Sequence, residues 1–174
     1  DCYFYERFDG KIGFKVGRFI EPDVTLTEDD FYALTVSEGN AGSGNSNEIV
    51  IRYVEPDNAY RETPSGVWVA DPEGPRTRQE YAVFWCDRHN QAIRIAKRLS
   101  SVIFAQYRIS GTLRSTAQSV IGKRFVTINN AELGVSGIFE ITKVVKNEDL
   151  LTYEIEGHSV VQSDFDFDPL TEEP

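Results

Sequence analysis

Between Arg88 and Gln106 the apolar residues Ala92, Ile95, Ala96, Leu99, Val102 and Ile103 recur every three to four positions, the one long stretch of the chain with that period. Such spacing gathers them onto a single stripe of an α-helix. Asp87 stands just before it as a candidate N-cap, since its carboxylate could accept a first-turn N–H. Burying Ile95, Leu99 and Ile103 would contribute about 1.5–3 kcal/mol each, so the stripe reads as core rather than as a row of ligand contacts. Away from it lie Arg94, Lys97 and Arg98, a local basic cluster. Its bland reading is a solvated helix face. The sharper one is an assembly interface that meets acidic residues of a neighbouring subunit.

Nearly everything else in the chain has the period of a strand. Cys2 to Val16 reads as strand, turn and strand around Asp9-Gly10, a dipeptide that favours tight hairpin turns. Val24-Thr25-Leu26 alternates, Thr27 with Glu28, Asp29 and Asp30 predicts a capped single turn, and Phe31 to Val36 returns to β-favouring residues. Ser37 to Asn47 is a loop by composition. Glu48 to Val54 alternates with Ile49, Ile51 and Tyr53 on one side, and Glu55-Pro56-Asp57-Asn58 breaks it. Gly66 to Ala70 and Tyr81 to Cys86 are short strands separated by the rigid break Asp71 to Pro75. Beyond the helix, Tyr107 to Arg114, Arg124 to Asn129, Ile138 to Val145 and Leu150 to Glu156 continue the pattern, the last two joined as a hairpin through Lys146 to Asp149. The expected fold is α+β and mainly β, with barrel-like antiparallel strands and one long amphipathic helix. Two intertwined β-rich subdomains would divide it, about 1–54 with 107–174, and 55–106.

Composition limits the function. The 174 residues are 40% hydrophobic with 11 Phe, 8 Tyr and 2 Trp, enough for a real core. The longest apolar run, around Val102-Ile103-Phe104, is far short of the roughly 20 residues of a membrane helix, so no membrane span is expected. With 28 acidic and 18 basic residues the formal charge is −10, which disfavours a surface that grips phosphates. Cys2 and Cys86 form no Cys-x-x-Cys pair, and two cysteines so far apart give little support for a bridge. The chain has no Met and starts Asp1-Cys2-Tyr3, which reads as a segment of a longer polypeptide.

No catalytic constellation emerges, and the expectation is that the chain is not an enzyme. His89 and His158 are the only histidines available as bases, and no Gly-x-Ser-x-Gly nucleophile turn accompanies either. No Cys and His cluster has zinc spacing. Asp164, Asp166 and Asp168 alternate, but the glycine and closing glutamate of a calcium loop are missing, so Phe165 and Phe167 are expected to face a core while the acids face water. The glycines from Gly39 to Gly44 lead into a strand without a lysine, unlike a phosphate-binding loop. No cofactor, no metal and no catalytic residue is assigned.

The succession of segments carries a resemblance. Arg52-Tyr53-Val54-Glu55-Pro56-Asp57-Asn58-Ala59-Tyr60, the turn Asp71-Pro72-Glu73-Gly74, the helix with Gln91-Ala92-Ile93-Arg94-Ile95-Ala96-Lys97-Arg98-Leu99, and the strand entry Val120-Ile121-Gly122 before Arg124 follow one another in an order that resembles the tail-tip hub proteins of long-tailed phages and gene transfer agents. Lys123 stands where that family has Asp. The upstream stretch, Asp9-Gly10-Lys11-Ile12 through Val24-Thr25-Leu26-Thr27, resembles the family too. The resemblance implies a virion structural domain at the tail tip, assembled in the host cytoplasm as a homotrimeric ring around the channel. Its partners would be neighbouring tail-tip and tail-tube proteins, with DNA passing through without specific binding. The competing class is a host-surface recognition module, receptor- or glycan-binding, for which exposed Tyr60 and Trp68 would speak.

Overall fold

The computed structural model of the chain describes residues 2–6, 10–38, 47–70, 77–168 and 170–171. Its strands are β1 Cys2–Glu6, β2 Ile12–Val16, β3 Thr25–Thr27, β4 Phe31–Glu38, β5 Glu48–Glu55, β6 Arg61–Pro64, β7 Trp68–Val69, β8 Arg78–Ala82, β9 Tyr107–Leu113, β10 Phe125–Asn130, β11 Val135–Asn147 and β12 Thr152–Ser159, with one α-helix, α1, His89–Ile103. The fold is mainly β, with a curled half-barrel sheet and one long helix. Two compact units divide it: Asp1–Gly39 with Gln106–Phe165, and Asn40–Ala105 with Asp166–Pro174. Residues 48–54 therefore lie in the unit that holds the helix, where β5 finds its strand partners among the described residues. Of the Ser37-to-Asn47 loop residues 39–46, together with the Asp71-to-Pro75 break and Asp9, lie outside the described residues, while Ser37 and Glu38 belong to β4.

In the first unit β1 and β2 form an antiparallel ribbon, with Glu6 opposite Ile12 across the expected turn. The six-stranded sheet runs β3-β10-β11-β12-β9-β4, antiparallel except where β3 joins β10. Thr27 caps the turn after β3 by donating its N–H to Asp30 Oδ2 at 2.9 Å, as the acidic first turn implies. Leu26, Ile109, Leu113, Val126, Ile128, Phe139 and Ile155 pack into the core of this sheet. Register shifts at Phe31/Ala33 and Ile141/Lys143 add the local bends that let it curl. Two glycines permit close approach of neighbouring strands: a Cβ at Gly157 would lie 2.6 Å from the Glu140 carbonyl oxygen, and one at Gly111 2.8 Å from that of Ala33.

A buried carboxylate ties three of these strands together. Arg124, at the mouth of β10, donates from Nε and Nη2 to Glu140 Oε1 at 2.8 and 2.7 Å, and its own carbonyl accepts from Ile141 N–H at 2.7 Å. His158 of β12, directly across from Glu140, brings Nε2 to 3.4 Å from Oε2, off the line of a hydrogen bond. All three residues are buried. The guanidinium lies 5.2 and 5.6 Å from the rings of Phe125 and Phe165, and Phe19 completes a trio of tilted and edge-on rings. Phe165 is half-buried against these rings rather than part of the core.

In the second unit β5 is central. β7 (antiparallel) and β8 (parallel) pair with its first residues, and β6 continues along Arg52–Glu55. Ile49, Ile51 and Tyr53 turn one face onto α1, meeting Ala92 and Ala96 with Cys86 beside them. The sequence places a strand at Tyr81 to Cys86, but the parallel pairing with β5 ends at Ala82, and a turn closed by Cys86 N–H to the Val83 carbonyl follows. Nor is Asp87 the N-cap; Arg88 holds that position, without a side-chain cap bond. The helix buries Ala92, Ile93, Ala96 and Ser100, while Ile95, Leu99 and Ile103 are only half-buried. Ala92, Ile95, Ala96, Leu99 and Ile103 of the expected stripe pack with the β5 cluster, and Ile93, outside that stripe, is buried as well.

Two stability predictions follow from these contacts. Gly157→Ala should lower unfolding free energy by about 1–3 kcal/mol, because a backbone carbonyl cannot swing aside, whereas Gly137→Ala, with open space at its Cβ position, should change it by under about 0.5 kcal/mol. Glu140→Ala should cost about 3–5 kcal/mol by stranding the buried guanidinium. Urea unfolding followed by tryptophan fluorescence and circular dichroism measures all three.

Candidate assembly surface

Helix α1 projects from the second unit the residues that the sequence singles out. Arg94 is exposed, with its guanidinium 5.9 Å from the ring of Phe167. Lys97 is half-buried: its Nζ donates to the Asp166 carbonyl at 2.6 Å and sits 5.9 Å from the Trp68 ring. Arg98 is also half-buried and donates to Ser101 Oγ at 2.7 Å, one turn along the helix. The three cations therefore differ. Arg94 faces outward, while Lys97 is engaged by the segment that follows Phe165.

That segment was legible only in part. Phe165 and Phe167 are both half-buried, but one packs with Phe19 and Phe125 while the other lies under Arg94. The alternating acids do not converge on a common point: Asp164 Oδ2 accepts from Val161 N–H at 3.0 Å, and Asp168 accepts from Leu170 N–H and the Thr171 hydroxyl. Local backbone capping accounts for these two carboxylates.

At the other end of the same helix Arg88, His89, Asn90, Gln91 and Arg94 line an open depression of about 580 Å³. His89 Nδ1 lies 3.4 Å from the hydroxyl of buried Tyr53, with the two rings edge-on, which fixes the imidazole against β5. The turn leading into the helix holds Phe84 and Trp85, 64% and 71% exposed. Sequence alone reads these two as part of a strand. Cys86 just after them is buried instead, a free thiol donating to the Arg88 carbonyl at 3.4 Å. Burial pushes that thiol up from its ordinary range, so it stays protonated and unreactive at neutral pH.

The surface of this unit is otherwise laced by ion pairs. Arg52 meets Glu80 of β8 at 2.5 Å and Glu62 of β6 at 3.4 Å, which raises its already high pKa through the Glu80 hydrogen bond first. Exposed pairs of this kind set local orientation more than stability. Of the two aromatics that would mark a recognition loop, Tyr60 is exposed and Trp68 is half-buried beside Lys97. They do not form a shared open platform. In the first unit the buried Arg124–Glu140–His158 cluster has the residue types of acid–base chemistry, but its carboxylate is committed to the guanidinium.

No protein-family model and no curated protein matches the chain. Its fold does have counterparts among solved structures. A chain of the virion of a native gene transfer agent particle superposes with a TM-score of 0.61 at 15% identity, over 89% of this chain and 35% of that one. The tail protein from Neisseria meningitidis MC58 gives 0.62 at 12%, over 91% and 51%, and the 43 kDa tail protein of prophage MuSo2 from Shewanella oneidensis gives 0.59 at 12%, over 95% and 52%. The chain spans from about a third to half the length of these proteins. At such identities the likeness is one of fold: this chain has the fold of a segment found in phage tail proteins and in a gene transfer agent virion.

Proposed function

We propose that the chain is a structural part of a phage-type tail, forming a segment of the tail-tip or baseplate hub ring around the DNA channel. The observation that carries this reading is the fold. Three proteins named as tail or virion components share it over nearly nine-tenths or more of this chain, despite 12–15% identity. The charge agrees with the role. Acidic groups around a conduit repel phosphates within about 8 Å in physiological salt, so passing DNA is not retained. A net charge of −10 supplies them.

In this reading the ring is a homotrimer, its neighbours are the other tail-tip and tail-tube proteins, and the chain resides in the virion. Arg94 and Arg98 on α1 contribute to the contact between subunits, with Lys97 shared with the chain's own tail. The alternative, a host-surface recognition module, draws on exposed Tyr60, but half-burial of Trp68 removes the second half of that platform.

Reversing Arg94 and Arg98 to Glu together should leave the circular dichroism spectrum and unfolding midpoint of the purified chain near wild type while tail formation in the producing cells falls sharply. The measurement is the count of tailed particles by negative-stain microscopy. Tails formed at wild-type frequency by a folded double variant would remove these residues from the interface. Particles that keep complete tails when the gene is deleted, losing only attachment to host cells, would favour the recognition module instead.

A further inference from the structure

The β11–β12 hairpin ends in a turn whose residues are unusual for their place. Its register continues out to Asn147 opposite Thr152, leaving Glu148, Asp149, Leu150 and Leu151 as the tip. Leu150 is 70% exposed and Leu151 61%. Leu151 also has φ +51°, a left-handed conformation that glycine or asparagine adopts with less strain than a branched apolar residue. The tip is held in shape: Leu150 N–H donates to Asn147 Oδ1 at 3.1 Å, and Lys146 Nζ lies 3.7 Å from Glu148. A rigid, strained turn that offers two leucines and two acids to solvent has no role in its own unit's core.

The depression at the start of α1 has the opposite character. Arg88 and Arg94 make its rim basic in a chain of net charge −10, and the positive end of the helix dipole reinforces them. The turn leading into it exposes Phe84 and Trp85, large apolar rings beside that rim in sequence. An acidic, apolar knob and a basic hollow preceded in the chain by two exposed aromatics are complementary in both charge and polarity, and both belong to this chain.

We infer that the hairpin tip of one copy docks into the α1 depression of the next copy, with Leu150 and Leu151 against Phe84 and Trp85 and with Glu148 and Asp149 toward Arg88 and Arg94. The occupant is a second copy because the complementary surface lies on the same sequence. A lipid surface fits poorly, since the two acids at the tip would be repelled by anionic headgroups. Knob and hollow are different patches, so the contact is heterologous; repeated around an axis that closes, it builds a ring. The inference rests on the ring reading above and names one of its contacts.

The test places the photo-reactive residue p-benzoylphenylalanine at position 150, mixes isotopically heavy and light chains, irradiates, and maps the adducts by mass spectrometry. Heavy–light adducts to residues 84–94 are expected. Asp149→Arg alone should cut their yield about tenfold, and adding Arg88→Glu should restore most of it by reversing the pair. Adducts confined to one chain or mapping elsewhere, no intermolecular adduct, or no recovery in the doubly reversed protein would overturn the contact. The ring reading is decided separately: loss of this contact in a chain still located at the tail tip sinks only the contact, whereas a cross-linked chain absent from the tail sinks only the ring.

Discussion

One carboxylate organises the sheet unit. Glu140 is buried, and a buried charge is tolerated only when opposite charge and hydrogen bonds compensate it. Arg124 provides both from the strand on one side, and His158 faces it from the strand on the other. The central three strands thereby share one register, because sliding either neighbour by a residue would strand the ion pair and turn the sheet's apolar face outward. Gly157 lies alongside, where the Glu140 carbonyl comes too near for a side chain. The rings of Phe125 and Phe165 flank the guanidinium, 5.2 and 5.6 Å away.

The helix unit is built differently. A short central strand is covered by one amphipathic helix; Arg52 pairs with Glu62 and Glu80 at the surface, while buried Glu48 pairs with exposed Arg78. Removing an exposed pair loses little, so such a unit can vary its surface charge while keeping its fold. The three solved proteins that share the fold fit this view: identity of 12–15% leaves few side chains in common, yet the backbone path persists.

Much of this architecture was legible in the sequence, for identifiable reasons. Period-two alternation located β5, β9, β10 and β11, and the single three-to-four-residue period located α1. Dependence on distant partners explains what was not legible. The run Tyr81 to Cys86 is apolar enough for an interior strand, but pairing with β5 fixes β8 at Arg78–Ala82 and leaves Phe84 and Trp85 in an exposed turn. The four residues of β6 carry too little apolar alternation to announce themselves, and the burial of Ile93 lies off the stripe that the spacing picks out. Arg124, Glu140 and His158 come from separate segments, and no local spacing joins them. The basic cluster Arg94, Lys97 and Arg98 was legible; that Lys97 would be engaged by the Asp166 carbonyl was not.

The central claim is that this fold serves as a wall of the tail's conduit rather than as a catalyst or an outlying adhesin. An electron cryo-microscopy map of the intact particle, at a resolution that traces strands, tests it most directly. The account predicts a ring at the tail tip into which the half-barrel and its helix-covered neighbour fit three times about the channel axis. Density for the chain only in a peripheral fibre, or nowhere in the tail, would contradict it.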